Sequence, residues 1–272
     1  MGVDNLFFLC TLVLYLAALI TYGLYLFLNQ QVLGRWGILF MLLGFLIHTL
    51  LVLQQAAVLI HAAVIGLFDV LVLLSWSLVG LSLLLQSRIR LRILLGIILV
   101  IVLAIGGIAL LLPRYFSKVI PSINVFSFGT HIFLSLMGYA SFAVALLSGL
   151  MYLVLDRQLK LKVSNAFFER LPPLESLEWI NFRSLWAGTI LLGLGLVSGL
   201  VWAYWAGIAL SLKDSKVVAT CVTFVVYGVI LYIRSTARWR GRKVAYLSVL
   251  GFTCVLITFI MMNYFSKGHG FF

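Results

Sequence analysis

Charged residues are scarce in this 272-residue chain: Asp, Glu, Lys and Arg together make up 10% of it, and only seven residues are acidic. Hydrophobic residues make up 64%, far above the share in soluble domains. This composition excludes the soluble globular class and is typical of an integral membrane protein. No cleaved secretory signal is expected, because apolar segments recur as far as the C-terminus instead of giving way to a polar chain.

Cysteine is the second shortage. The three cysteines, Cys10, Cys221 and Cys254, are isolated within apolar runs, and no CxxC or CxxCH spacing occurs. This pattern excludes a thioredoxin-like redox role, a thiolate metal site and a covalently attached c-type haem.

Long apolar runs are what the chain does have. A helix that crosses the hydrocarbon needs about 20 apolar residues and satisfies its own backbone groups. Eight segments meet this requirement, near 6–27, 37–57, 63–86, 93–112, 131–155, 185–206, 217–233 and 244–264. We therefore predict an all-α integral membrane protein, a bundle of eight transmembrane helices forming one domain over 1–272, with a cytoplasmic loop at 157–183.

The 19 Lys and Arg residues predict the orientation of these spans. Fourteen lie in one set of loops and five in the other: Arg114, Lys118, Lys213, Lys216 and Lys267. The positive-inside rule places the richer set in the cytoplasm, so both termini are predicted to lie outside. Cytoplasmic retention and attraction to anionic lipid explain the formal net charge of +12, and no nucleic-acid partner is needed.

Three of the four histidines, His61, His131 and His269, fall on the predicted outer side, while His48 lies within the second span. Imidazole in or beside hydrocarbon is uncommon and usually has a metal, a cofactor or a proton path as its partner. For His48, a neutral side chain bonded to a neighbouring helix is an equally good interpretation. Haem b requires only one or two imidazoles, an apolar slot and cations for its propionates.

The sixth predicted span ends in a cluster of aromatic residues that includes Trp202 and Trp205. Such residues form the ordinary interfacial belt of membrane proteins. They would also offer a flat surface on which a porphyrin could stack. The sequence leaves both interpretations open.

Residues 171–207 begin with LPPLESLEWINFR. This stretch resembles the LP-x-LE-x-L-x-x-x-N-[YF]-R entry into the tryptophan-rich segment of the CcsA and HemX type of cytochrome c assembly protein. Residues 131–154 resemble its H-x(7)-YA-x-F-x-x-A-x(3)-G-x-x-YL helix, and 232–270 its R-x(4)-W-[RK]-G and G-[L]-H ending. Residues 65–76 resemble a further segment, with Asp69 in place of its Glu.

The resemblance implies a multi-pass protein of the bacterial cytoplasmic membrane that binds and delivers haem b rather than catalysing a reaction. It implies His131 and His269 as axial ligands of the haem iron at the outer face, beside Trp202 and Trp205. At the family's inner histidine position this chain has Tyr232, so His48, alone or with His61, is the remaining candidate there.

The tryptophan-rich loop departs from the family pattern, because WAGIALSLKDSK lacks the WxW tryptophans, the Pro and the Glu. This loss favours the HemX-like branch, which acts in haem biosynthesis and its regulation. The alternative is a haem exporter or haem lyase subunit that presents haem to apocytochrome c with a CcsB-like partner; a haem-biosynthesis enzyme is another candidate partner. An ion or solute transporter using His48 and Asp69 is a third hypothesis, for which the spans carry few polar residues.

Overall fold

A computed structural model describes residues 3–62, 64–86, 92–112, 117–118, 125–162, 171–207, 215–236 and 239–265. Over these residues the chain forms eight α-helices and two short strands. In chain order they are α1 (Val3–Leu28), α2 (Gln31–Ala62), β1 (Val64–Ile65), α3 (Leu67–Gln86), α4 (Arg92–Leu111), β2 (Ser117–Lys118), α5 (Val125–Leu161), α6 (Leu174–Trp205), α7 (Ser215–Thr236) and α8 (Arg242–Phe265).

The helices fall into two compact units, one of residues 1–118 with 164–172, the other of 119–163 with 173–272. In the first unit α1 packs against α2 and α4, and α3 packs against the same two helices. Its two strands pair antiparallel, with Val64 opposite Lys118. In the second unit α5 and α7 each pack against α6 and α8. A single domain for the whole chain stays a prediction.

Seven helices in the described part of the chain, α1 to α7, are long and apolar enough to cross a membrane. Exposed apolar side chains line them, because lipid rather than water is the solvent of their outer faces. The chain is therefore a multi-pass membrane protein whose candidate spans are all helices. The eighth span, which corresponds to α8, and the placement of both termini outside stay predictions.

Helix extends into both ends of the segment predicted as a cytoplasmic loop at 157–183, and the loop itself stays a prediction. Helix α5 continues to Leu161, and α6 already begins at Leu174. A helix needs no apolar residues once it leaves the hydrocarbon, and Lys160 supports this extension by pairing with Asp156 at 2.8 Å, one turn earlier. Pro173 precedes α6 at its N-cap, where proline loses no helical hydrogen bond.

Close packing of α5 on α6 organises the second unit. A Cβ atom added at Gly138 would lie 3.1 Å from the backbone nitrogen of Leu192 and 3.2 Å from the carbonyl oxygen of Gly188. Asn181 of α6 donates from Nδ2 to the Ala145 carbonyl of α5 at 2.7 Å. These contacts hold the two helices side by side, so side chains on their facing surfaces have well-defined neighbours.

Candidate functional site

His131 lies in the second turn of α5 and reaches across to the backbone of α6. Its Nδ1 is 2.7 Å from the carbonyl oxygen of Gly195. A carbonyl oxygen only accepts hydrogen bonds, so the ring donates from Nδ1. In the neutral ring the proton is then on Nδ1, and Nε2 carries the lone pair that binds metals.

The imidazole lies against α6 at a position where a glycine leaves room for it. A Cβ atom added at Gly199 would lie 2.6 Å from Nδ1 of His131 and 2.8 Å from its Cε1. At Gly195, an added Cβ atom would lie 2.7 Å from the hydroxyl oxygen of Ser135, one turn further along α5. Gly199 therefore creates the space in which the His131 ring lies against α6, and Gly195 creates the space for Ser135.

An aromatic pair lies one helical turn beyond this contact. The rings of Phe128 and Trp202 are 4.9 Å apart and inclined at 37°. Trp202 Nε1 is buried and has no hydrogen-bond partner among the residues that the structure describes. Trp205 differs from Trp202, since 68% of its surface is exposed. The two tryptophans predicted to form one surface thus have different surroundings, and Trp202 is the one paired with the histidine-bearing helix.

His48 is completely buried in the first unit. Its Nδ1 lies 3.1 Å from the hydroxyl oxygen of Tyr15 in α1, and the ring of Phe8 is 5.7 Å away. Its Nε2 makes no hydrogen bond of ordinary geometry to the described residues. This arrangement matches the interpretation of His48 as a neutral side chain bonded to a neighbouring helix.

His48 and His61 belong to one continuous helix, α2. Thirteen residues of α-helix separate them by about 20 Å along the axis, so the two cannot ligate the same iron. The side chain of His61 lies outside the described residues. His269, the tryptophan-rich loop at 208–214 and the pairing of His131 with His269 also lie outside them. Tyr232, at the family's inner histidine position, is 67% exposed on α7.

Phe128 and the Gly195 carbonyl are parts of the site that sequence reasoning missed. Phe128 precedes His131 by three residues and Ser135 follows it by four, which puts the three on one face of a helix. That spacing could have indicated Phe128. No side-chain pattern identifies a backbone carbonyl on another helix, however.

A second polar group lies at the opposite end of the second unit, where α5 ends and α6 begins. Arg234 of α7 pairs with Glu178 at 3.2 Å and stacks over the ring of Phe182 at 4.0 Å. Nearby, the Asn181 side chain bonds to Ser248 of α8. These side chains connect α6 to α7 and α8, and they come from two of the family-like stretches.

The chain is a multi-pass membrane protein with helices of spanning length. Its candidate site is a histidine side chain, His131, that is hydrogen-bonded to the backbone of the neighbouring helix. The model of the family described as "Cytochrome C assembly protein" matches residues 64–269, and the chain belongs to this family. Protein HemX of Brevibacillus brevis is 28% identical over 251 residues, which cover 92% of each chain. Cytochrome c biogenesis protein CcsA of Guillardia theta is 27% identical, over 75% of this chain and 74% of that protein. A CcsA of Prochlorococcus marinus strain MIT 9215 is 26% identical over 85% of this chain and 82% of its own length.

Proposed function

We propose that this chain binds haem b at the outer face of the bacterial cytoplasmic membrane and acts in cytochrome c assembly or in haem biosynthesis and its regulation. His131 and His269 are the proposed axial ligands of the iron. The observation that carries the proposal is the 2.7 Å contact between His131 Nδ1 and the Gly195 carbonyl oxygen.

This contact is typical of histidines that bind a metal. Histidines that bind metals usually donate their second ring N–H to a carbonyl or carboxylate, which sets the tautomer and the ring orientation. The Gly195 carbonyl does this for His131, so in the neutral ring Nε2 carries the lone pair. Membership of the cytochrome c assembly family makes haem the group to test at this nitrogen.

The surroundings of His131 also fit a porphyrin. Phe128 and Trp202 provide apolar aromatic surface one turn away. Trp202 Nε1 is a buried donor without an acceptor among the described residues, and buried polar groups normally have partners. A bound haem would supply redox chemistry and could be passed on to cytochromes. His131 would hold its iron, and Phe128 and Trp202 would offer apolar surface to the porphyrin.

A haem exporter or haem lyase subunit is the second candidate function, favoured by the similarity to CcsA proteins over most of the chain. It requires a CcsB-like partner and apocytochrome c. Deletion of the gene with loss of c-type cytochromes, together with co-purification of either partner, would support it. Normal c-type cytochromes in the deletion strain would favour a role in haem biosynthesis and its regulation.

The reduced-minus-oxidised absorption spectrum of the purified protein tests the haem site. We expect a low-spin b-type spectrum in the wild type that is lost or altered in His131→Ala and in His269→Ala. Gly228→Ala is a matched control, because an added Cβ atom there meets nothing within 4 Å. An unchanged spectrum in the double histidine variant would overturn the ligand assignment. His48→Ala tests the inner candidate separately.

A further inference from the structure

We infer that two residues of α6, Ser198 and Gly199, set the iron affinity and the reduction potential of the site. Ser198 competes with His131 for the Gly195 carbonyl. Gly199 leaves the space that the His131 ring occupies. This inference rests on the proposed function, because it concerns His131 as an iron ligand. It adds two positioning residues that do not touch the iron.

The Gly195 carbonyl oxygen accepts from two side chains. The Ser198 hydroxyl donates to it at 2.9 Å, and His131 Nδ1 lies 2.7 Å from it. A carbonyl that is already polarised by one donor is a weaker acceptor for a second one. Ser198 therefore weakens the hydrogen bond that the imidazole N–H donates to this carbonyl.

The strength of that bond sets the donor strength of the imidazole. A stronger Nδ1–H···O bond leaves more electron density on the ring and makes Nε2 more basic. A more basic axial ligand stabilises the oxidised iron and lowers the reduction potential. The Ser198 hydroxyl is thus expected to keep the potential higher than the Gly195 carbonyl alone would set it.

Gly199 affects the same hydrogen bond sterically, because it has no side chain to displace the His131 ring. A methyl group there would lie 2.6 Å from Nδ1, well inside normal contact distance, so the ring must move away from α6. Displacing the ring lengthens or breaks the bond to Gly195 and misaligns Nε2. A substitution at Gly199 is therefore expected to weaken the imidazole as a ligand, opposite in direction to removal of the Ser198 hydroxyl.

Two variants of the full-length haem-loaded protein test the inference by potentiometric titration and haem titration. Ser198→Ala is expected to shift the midpoint potential to a more negative value and to leave haem bound. Gly199→Ala is expected to shift it to a more positive value and to weaken haem binding roughly 10- to 100-fold, the usual effect of losing such a supporting partner. A ¹⁵N spectrum of the histidine rings in the haem-free protein reports the Nδ1 bond directly.

Matched controls distinguish a specific effect on the midpoint potential and haem affinity from a general loss of helix packing. Ser141→Ala removes a hydroxyl that bonds within α5 at 2.8 Å, and Gly228→Ala adds a methyl group in open space; neither is expected to shift the potential. If Ser198→Ala and Gly199→Ala leave potential, affinity and ring signals at wild-type values while His131→Ala loses haem, this inference fails and the proposed function stands. If the wild type binds no haem, the proposed function fails first.

Discussion

The hydroxyl group of Tyr15 lies 3.1 Å from Nδ1 of His48, and both side chains are fully buried among α1 and α2. This buried polar pair connects α1 to α2. Removal of one partner leaves the other buried without a hydrogen bond, which is more costly than removal of both.

Tyr15→Phe is therefore expected to lower the free energy of unfolding by about 1 to 3 kcal/mol, the cost of an unsatisfied buried polar group. Thermal unfolding in detergent measures the effect. Tyr246→Phe is the control, because the Tyr246 hydroxyl bonds to Arg242 on an exposed surface. In a double-mutant cycle, Tyr15→Phe should cost less in a His48→Leu background. Equal costs in both backgrounds would contradict a direct interaction.

The pair of Glu178 and Arg234 is expected to be stronger than a surface ion pair, because Arg234 is only 11% exposed. Exposed pairs contribute up to about 1 kcal/mol, whereas breaking a fully buried pair costs about 3 to 5 kcal/mol. For Glu178→Gln we expect an intermediate loss of about 1 to 3 kcal/mol. Arg234→Lys should also destabilise, since lysine cannot reproduce the planar stack over Phe182. Lys160→Gln, which breaks an exposed pair, is the reference; a loss no larger than this reference would refute the prediction.

Gly241 is expected to be intolerant of a side chain for two separable reasons. Its φ is +63°, and an added Cβ atom would lie 2.5 Å from the hydroxyl oxygen of Tyr152. Gly207 has nearly the same φ, +64°, with nothing within 4 Å. Gly207→Ala should cost about 1 to 2 kcal/mol for the left-handed backbone alone, and Gly241→Ala more.

Tyr152→Phe isolates the steric part of the Gly241 effect. Removing the hydroxyl should relieve the contact and bring the cost of Gly241→Ala close to that of Gly207→Ala. Unfolding temperatures of the single and double variants measure this. No relief in the Tyr152→Phe background would show that the hydroxyl is not the obstacle.

Haem is expected to raise the unfolding temperature of the wild-type protein, because a ligand that binds only the folded state stabilises that state. At a free haem concentration of about 100 times the dissociation constant, the gain in unfolding free energy is about 2.7 kcal/mol. His131→Ala should lose most of this stabilisation, while Gly228→Ala should keep it. Thermal scans with and without added haem provide the comparison. Equal stabilisation of His131→Ala and the wild type would place the haem elsewhere.

Much of the fold was predictable because hydrocarbon imposes simple requirements on a chain. Each predicted span from 6–27 to 244–264 coincides with one of the helices, and only the ends differ. The helix ends were less predictable because hydropathy marks only the residues that lie in the hydrocarbon. A helix can continue beyond that region. At α5 the helix extends beyond the apolar run as far as Leu161, where the Asp156–Lys160 pair supports it.

The site was predictable only in part. His131 stands out in the sequence because imidazole is uncommon at the edge of a membrane span and usually has a partner there. Nothing in the sequence, however, indicates which atom of α6 that partner is. The prediction that treated Trp202 and Trp205 alike could not distinguish them, since both are aromatic residues near a helix end. Only the packing of the helices places Phe128 beside Trp202 and leaves Trp205 exposed.

The sequence by itself determined the solvent, the helical class and the family, because each depends on composition and ordered spacing along one chain. Only the tertiary structure decided which nitrogen of His131 carries the proton and which residues surround His48. Those properties depend on atoms 64 and 33 residues away in the chain. Such atoms become neighbours only when helices pack, and at His131 it is Gly199 of α6 that lets the ring approach the neighbouring helix.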